Sequence, residues 1–149
     1  MTLLMVKPEI PQPDIGHVLD VLAHHRPIEF HCEASPVRPA VFQVDTRYEL
    51  EEHLEELFPF RANMAPIDHK RRVAVAITLV GGPPISGEGE SLAIALRRFL
   101  HSALDYMEEW ERSLRFGAEH QKYWGWVYRL LLAGDEDHIL ATLLDEPIE

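Results

Sequence analysis

Apolar positions along this chain change period several times, and each change marks an element. Thr2–Val6 is a short apolar run, closed by the proline-rich stretch Pro8–Pro13, and reads as a strand. Asp14 then stands as N-cap of a helix to about Arg26, with Ile15, Val18, Leu19 and Leu22 on one face; Pro27 ends it. Over Ile28–Glu33 the period falls to two. Ile28, Phe30 and Cys32 point one way and Glu29, His31 and Glu33 the other, the pattern of a half-buried strand. Ala34, Ser35 and Pro36 make a turn. Val37–Val44 continues as a second strand, placed at an edge by Pro39, which has no N–H for a central ladder.

Thr46 with Glu49 three residues on is a capping-box pattern, and it opens a helix over Arg47–Phe58 with Leu50, Leu54, Leu57 and Phe58 as its packing stripe. Pro59 stops it, and a polar connection runs through Arg72. Val73–Val80 carries large residues on one face (Val73, Val75, Ile77, Leu79) and small ones on the other (Ala74, Ala76, Thr78). A strand apolar on both faces is normally covered on both, so this one is read as central. Gly81–Gly89 reads as a Gly/Pro-rich loop, with Ser86 or a neighbour capping the next helix. That helix spans Glu90–Arg115 and presents Leu92, Leu96, Phe99, Ala103, Met107, Trp110 and Leu114 on one stripe, with Glu108–Arg112 and Glu111–Arg115 as i, i+4 pairs and Gly117 as its stop. Two further helices are predicted, Glu119–Ala133 and Asp137–Leu144, parted by Gly134.

These elements predict an α+β fold with a four-stranded sheet and a C-terminal three-helix layer. The first six elements follow the βαββαβ order of a ferredoxin-like unit, although other four-stranded α+β arrangements fit as well. The expectation is one domain over residues 1–149, a sheet-containing part at 1–80 and a helical part at 90–149. The small-residue face of Val73–Val80 calls for cover, from the C-terminal helices or from a second copy in a homodimer.

Charge changes the picture most. The 149 residues carry a formal net charge of −11. The excess concentrates in Glu49, Glu51, Glu52, Glu55 and Glu56, and again in Asp135, Glu136, Asp137, Asp145, Glu146 and Glu149. Such a field repels nucleic-acid phosphates and anionic headgroups, and speeds encounter with a basic partner. The single cysteine, Cys32, excludes an intramolecular disulfide and a Cys-based zinc knuckle. No run approaches the ~20 apolar residues of a membrane span. Met1–Val6 is too short for a secretory core, and its nearest cation, Lys7, follows it. Cytoplasmic location and no membrane partner are expected.

Candidate chemistry is sparse. The Gly-rich loop lacks the lysine and spacing of a phosphate cradle and carries Glu88 and Glu90. His24, His25, His31 and Cys32 with Glu29 and Glu33, or His101 with Asp105, Glu108 and Glu109, are proper ligand types for zinc. Alternation turns Cys32 and His31 to opposite faces, however, and the second group matches a solvated helix edge. Cys32 on the apolar side of its strand reads as packing rather than a nucleophile. The dense run Tyr123, Trp124, Trp126 and Tyr128 wraps more than one helical face, so part of it is core. Tyr and Trp also make interface hot spots. The expectation that best joins these features is a non-enzymatic adaptor, inhibitor or immunity-type protein with no cofactor and no metal. It would dock a basic protein, steered by Glu49, Glu52, Glu55, Glu56, Asp135, Glu136 and Asp137 and anchored by Tyr123, Trp124, Trp126 and Tyr128. A small metal-assisted enzyme and a self-associating assembly subunit are the alternatives.

Overall fold

A computed structural model describes residues 4–6, 15–32, 40–69 and 72–144. Three strands form a first sheet: β1 (Leu4–Val6), β2 (Ile28–Cys32) and β3 (Ala40–Val44). β2 is its middle strand, parallel to β1 with Leu4 opposite Ile28, and antiparallel to β3 with Phe30 opposite Phe42. The parallel pair requires a crossover, which α1 (Ile15–Ala23) supplies, burying Val18 and Leu22. That helix ends in a Schellman closure. The His25 N–H donates to the Leu22 carbonyl and the Arg26 N–H to that of Val21, with His25 left-handed at φ 56°.

The second sheet is antiparallel, in the order β4 (Ala62–His69), β5 (Arg72–Leu79), β6 (Ser86–Gly89). The expected single four-stranded sheet is therefore corrected to two sheets of three. The βαββαβ order does recur along the chain, but the ladders depart from a ferredoxin-like sheet: β1 lies beside β2, and the later strands pair only among themselves. Two strands lie where irregular chain was expected. β4 replaces much of the polar connection; its mixed polarity and Pro66 hide the period, as suits an edge strand. β6 lies inside the expected Gly/Pro loop, and its strand state comes from pairing with β5, Gly87 opposite Ile77 and Gly89 opposite Val75. β5, the Val73–Val80 expectation, is the middle strand.

The glycines of β6 have a steric reason. The long helix α3 (Leu92–Arg112) packs directly on this strand. A Cβ on Gly87 would lie 2.3 Å from the Phe99 backbone nitrogen, and one on Gly89 2.8 Å from that of Ala95. No side-chain shift relieves the contact at Gly87, because the obstacle is the helix itself. α3 thus covers the sheet face that carries Ile77. The opposite face, where the C-terminal helices were expected as cover, leaves Asn63, Thr78, Ser86 and Glu88 exposed.

α3 starts later than expected and is capped by Ser91, whose hydroxyl accepts the Ile94 N–H at 3.2 Å; Ser86 belongs to β6. It stops at Arg112, ahead of a 3-10 turn at Leu114–Phe116, and Gly117 has an ordinary φ of −98°. The predicted Glu119–Ala133 helix is split into α4 (Ala118–Gln121) and α5 (Trp124–Ala133); α6 (Glu136–Leu143) follows. α2 (Arg47–Leu57) opens as predicted, with the Thr46 hydroxyl accepting the Glu49 N–H at 3.1 Å. α5 is the hub. Trp124 stacks on Phe30 of the first sheet at 5.3 Å, Tyr128 meets Trp110 of α3 edge-on at 6.0 Å, and α2 and α6 lie along it. Asp14, the Pro8–Pro13 stretch, Glu33 and the Ala34–Pro36 turn, Val37–Pro39, Lys70, Arg71, and Asp145, Glu146 and Glu149 lie outside the described residues.

Candidate functional site

The two acidic segments, some eighty residues apart in sequence, flank one helical junction. α2 runs antiparallel to α5. At one end Arg47 donates to the Leu132 carbonyl at 3.1 Å, and at the other Arg129 donates to the Phe58 carbonyl at 2.8 Å. Leu50 and Leu54 are fully buried beneath α2, which turns Glu52, Glu55 and Glu56 to solvent and leaves Glu49 and Glu51 half-exposed. Two residues past Leu132, Gly134 (φ 86°) reverses the chain, and Asp135 then caps α6. Asp135, Glu136 and Asp137 are all exposed there. Acids at a helix N-terminus are stabilised by its dipole, which explains the second cluster locally.

A groove of about 210 Å³ runs between the three helices, lined by Glu51, Leu54, Glu55, Arg129, Leu132, Ala133 and Thr142. Arg129, which lines it, and Arg47 nearby are both held by the protein itself. Arg47 pairs with Glu51 at 3.1 Å as well as with Leu132, and the Arg129 guanidinium lies 4.9 Å from the centre of the Phe60 ring. Glu51 and Glu55 line the groove, whereas Glu52 and Glu56 are not among its lining residues and lie on the outward face of the helix.

That outward face also carries Tyr48, which is 69% exposed. Tyr48, Glu52 and Glu55 follow one another at steps of four and three and so share a face. The phenol hydrogen-bonds to Glu52; this bond, then the charge of Glu52, raises the Tyr48 pKa above the usual tyrosine value, and Glu55 adds to the effect. Tyr48 was absent from the sequence-based anchors, which were drawn from the aromatic run on α5. Its signal was present in the i, i+4, i+7 spacing with two glutamates.

Of the four anchors expected from sequence, two belong to the core. Trp124 is 2% and Tyr128 0% exposed, so neither offers surface to a partner. Trp126 is half-buried, its Nε1–H donating to the Pro59 carbonyl at 3.0 Å and its ring edge-on to Phe58 at 4.9 Å. Tyr123 is half-buried too, with Lys122 over its ring at 5.1 Å. Both sit at the start of α5, the opposite end from Leu132 and the acids of α6. The aromatics are thus held away from the acids of α6, while Trp126 lies against Phe58 and Pro59, just past the last turn of α2 that carries Glu55 and Glu56.

Asp135 accepts the His138 N–H at 2.9 Å and also meets the His138 ring at 2.7 Å; these contacts, the backbone one first, hold its carboxyl below the usual aspartate range. Of the two histidine groups weighed as metal sites, Glu33 lies outside the described residues, and described members of both have other contacts. His31 meets Glu29 at 2.6 Å, His24 meets the Asp20 carbonyl at 2.8 Å, and Glu109 is engaged by Arg112 and Ser113. Among the described residues no three His, Cys, Asp or Glu side chains converge as a metal set. No helix among them is long and apolar enough to cross a membrane.

No protein-family model matches the chain, and no curated protein does. A crystal structure from Syntrophomonas wolfei subsp. wolfei, assigned as the antitoxin part of a proposed toxin/antitoxin system, is similar to it with a TM-score of 0.55. The two are 12% identical, and the match covers 94% of this chain and 96% of the other. At that identity the likeness is one of fold.

Proposed function

We propose that this protein is a non-enzymatic, acidic interaction module of the inhibitor or antitoxin kind, which docks on the basic surface of a protein partner in the cytoplasm. The observation that carries this reading is that both acid-bearing helices, α2 and α6, pack on α5 and border one groove, on a chain of net charge −11. A single-signed surface of this kind raises the rate of encounter with an oppositely charged protein and disfavours nucleic acid and anionic lipid. The shared fold with an antitoxin adds an argument by analogy, since folds host many functions and the site must carry the assignment. Glu49, Glu52, Glu55 and Glu56 on α2 and Asp135, Glu136 and Asp137 on α6 steer the encounter. Tyr123 and Trp126 would act only as peripheral contacts, because both are half-buried and lie at the end of α5 away from the acids of α6.

The test is capture from a lysate of the source cell, with the tagged chain as bait at low and at high salt. The expected result is one stoichiometric partner of basic pI, released as ionic strength rises through the range where the Debye length falls below about 10 Å. The double charge reversal Glu52→Lys with Glu55→Lys should abolish that capture without unfolding the chain. A partner retained at high salt and by the reversed variant, or a partner of acidic pI, would refute the electrostatic reading.

A further inference from the structure

The proposed docking surface has an identifiable centre. Two aromatic rings among the described residues are largely exposed, Tyr48 at 69% and Phe116 at 54%. They differ in what lies over them. Phe116 is already covered by a cation of its own chain, with the Arg115 guanidinium 4.6 Å from the ring centre. Tyr123 and Phe60 are covered likewise, by Lys122 and Arg129. Among the described residues no cation lies over Tyr48. Its neighbour Arg47 is turned the other way, to Glu51 and the Leu132 carbonyl. Among the described residues the most exposed ring is therefore the one whose electron-rich face no cation covers, and Glu52 and Glu55 stand on its side of the helix.

From this arrangement, and resting on the docking function proposed above, we infer that Tyr48, Glu52 and Glu55 form the subsite that receives an arginine side chain of the partner. A guanidinium suits the place better than an ammonium. It is planar and weakly hydrated, so it stacks on an aromatic face while its edge N–H groups reach carboxylates. The packing of an arginine over tyrosine also gives the surface what its acids lack. Solvated carboxylates contribute to encounter rate, whereas a stacked, partly desolvated contact slows dissociation. The acidic stripe selects the sign of the partner and Tyr48 selects the group.

The experiment uses the full chain and a synthetic twelve-residue Arg/Ala peptide, with a matched peptide in which citrulline replaces arginine, followed by amide and tyrosine-ring NMR at low salt. Shifts should centre on Tyr48, Glu52 and Glu55, and the citrulline peptide should produce none. Tyr48→Ala should weaken the arginine peptide roughly fivefold, the scale of an exposed cation–π contact. Tyr48→Phe keeps the ring and should weaken it less than twofold, and a lysine version of the peptide should bind more weakly than the arginine one. If shifts centre instead on Asp135–Asp137 and Tyr48→Ala binds as the wild type does, the subsite is overturned while acidic docking stands. If the arginine peptide fails to bind at low salt, both fall.

Discussion

At the scale of single residues, the fold depends on positions where the missing or unusual side chain matters most. Gly125 is buried in α5, and a Cβ there would lie 2.1 Å from the Phe58 ring. Gly125→Ala gains about 1 kcal/mol of helix propensity but overpacks a ring that is itself buried, a change that costs roughly 1–3 kcal/mol or more. A net loss in chemical denaturation is expected; a gain would mean that Phe58 is free to move. His25 is the opposite case. Among the described residues it is the one non-glycine with positive φ, and an L side chain in that region costs about 1–2 kcal/mol. His25→Gly relieves the strain while adding unfolded-state entropy, so it should raise stability by about 0.5–1 kcal/mol. A loss of stability there would show that the imidazole has a contact that outweighs the backbone.

At the scale of elements, the two helices that bear the acids are held by their first turns. Thr46→Ala removes the hydroxyl that accepts the Glu49 N–H and should cost about 1 kcal/mol, whereas Thr46→Asp should restore the cap. Denaturation midpoints of the two variants separate cap loss from a general effect. α6 depends on a titratable cap. The Asp135 carboxylate is held below its ordinary pKa by the His138 N–H and ring, so its folded value lies beneath its unfolded one. The stabilisation is therefore complete above the unfolded value of about 3.9 and is lost as pH falls through the lower folded value. Carboxyl NMR titration should find Asp135 titrating below the bulk aspartates, and Asp135→Asn should remove that step. An ordinary titration for Asp135 would mean that its bonds to His138 are not maintained in solution.

For the whole molecule, the open face of the β4–β5–β6 sheet decides whether a second copy is needed. Eight residues at ~3.3 Å across three strands ~4.8 Å apart give a face of roughly 380 Å² at most, and β6 is only four residues long. A stable dimer buries roughly 800 Å² per partner. The edge strand β4 carries Pro66, which blunts pairing with another chain. Sedimentation at micromolar concentration should therefore report a monomer, and a dimer broken by Ala76→Arg would place self-association on this face after all. Net charge acts at the same scale. The partner's association rate should fall steeply with salt while its dissociation rate changes little, which stopped-flow mixing can separate.

Local pattern was enough wherever one rule acted alone. The Thr46 cap, the α3 stripe from Leu96 to Trp110 and the alternation of Ile28 and Phe30 were all legible, because helical and strand periods are properties of neighbouring residues. The charge and its two segments were equally plain. What depended on tertiary structure was everything set by pairing or enclosure. β6 is a strand because β5 supplies its ladder, and its glycines look like loop residues until α3 is laid on them. Trp124 and Tyr128 are core and Tyr48 is surface because α5 is surrounded on all sides while α2 is covered on one. The acidic segments share a junction because α5 returns antiparallel to α2, and no spacing along the chain encodes that return.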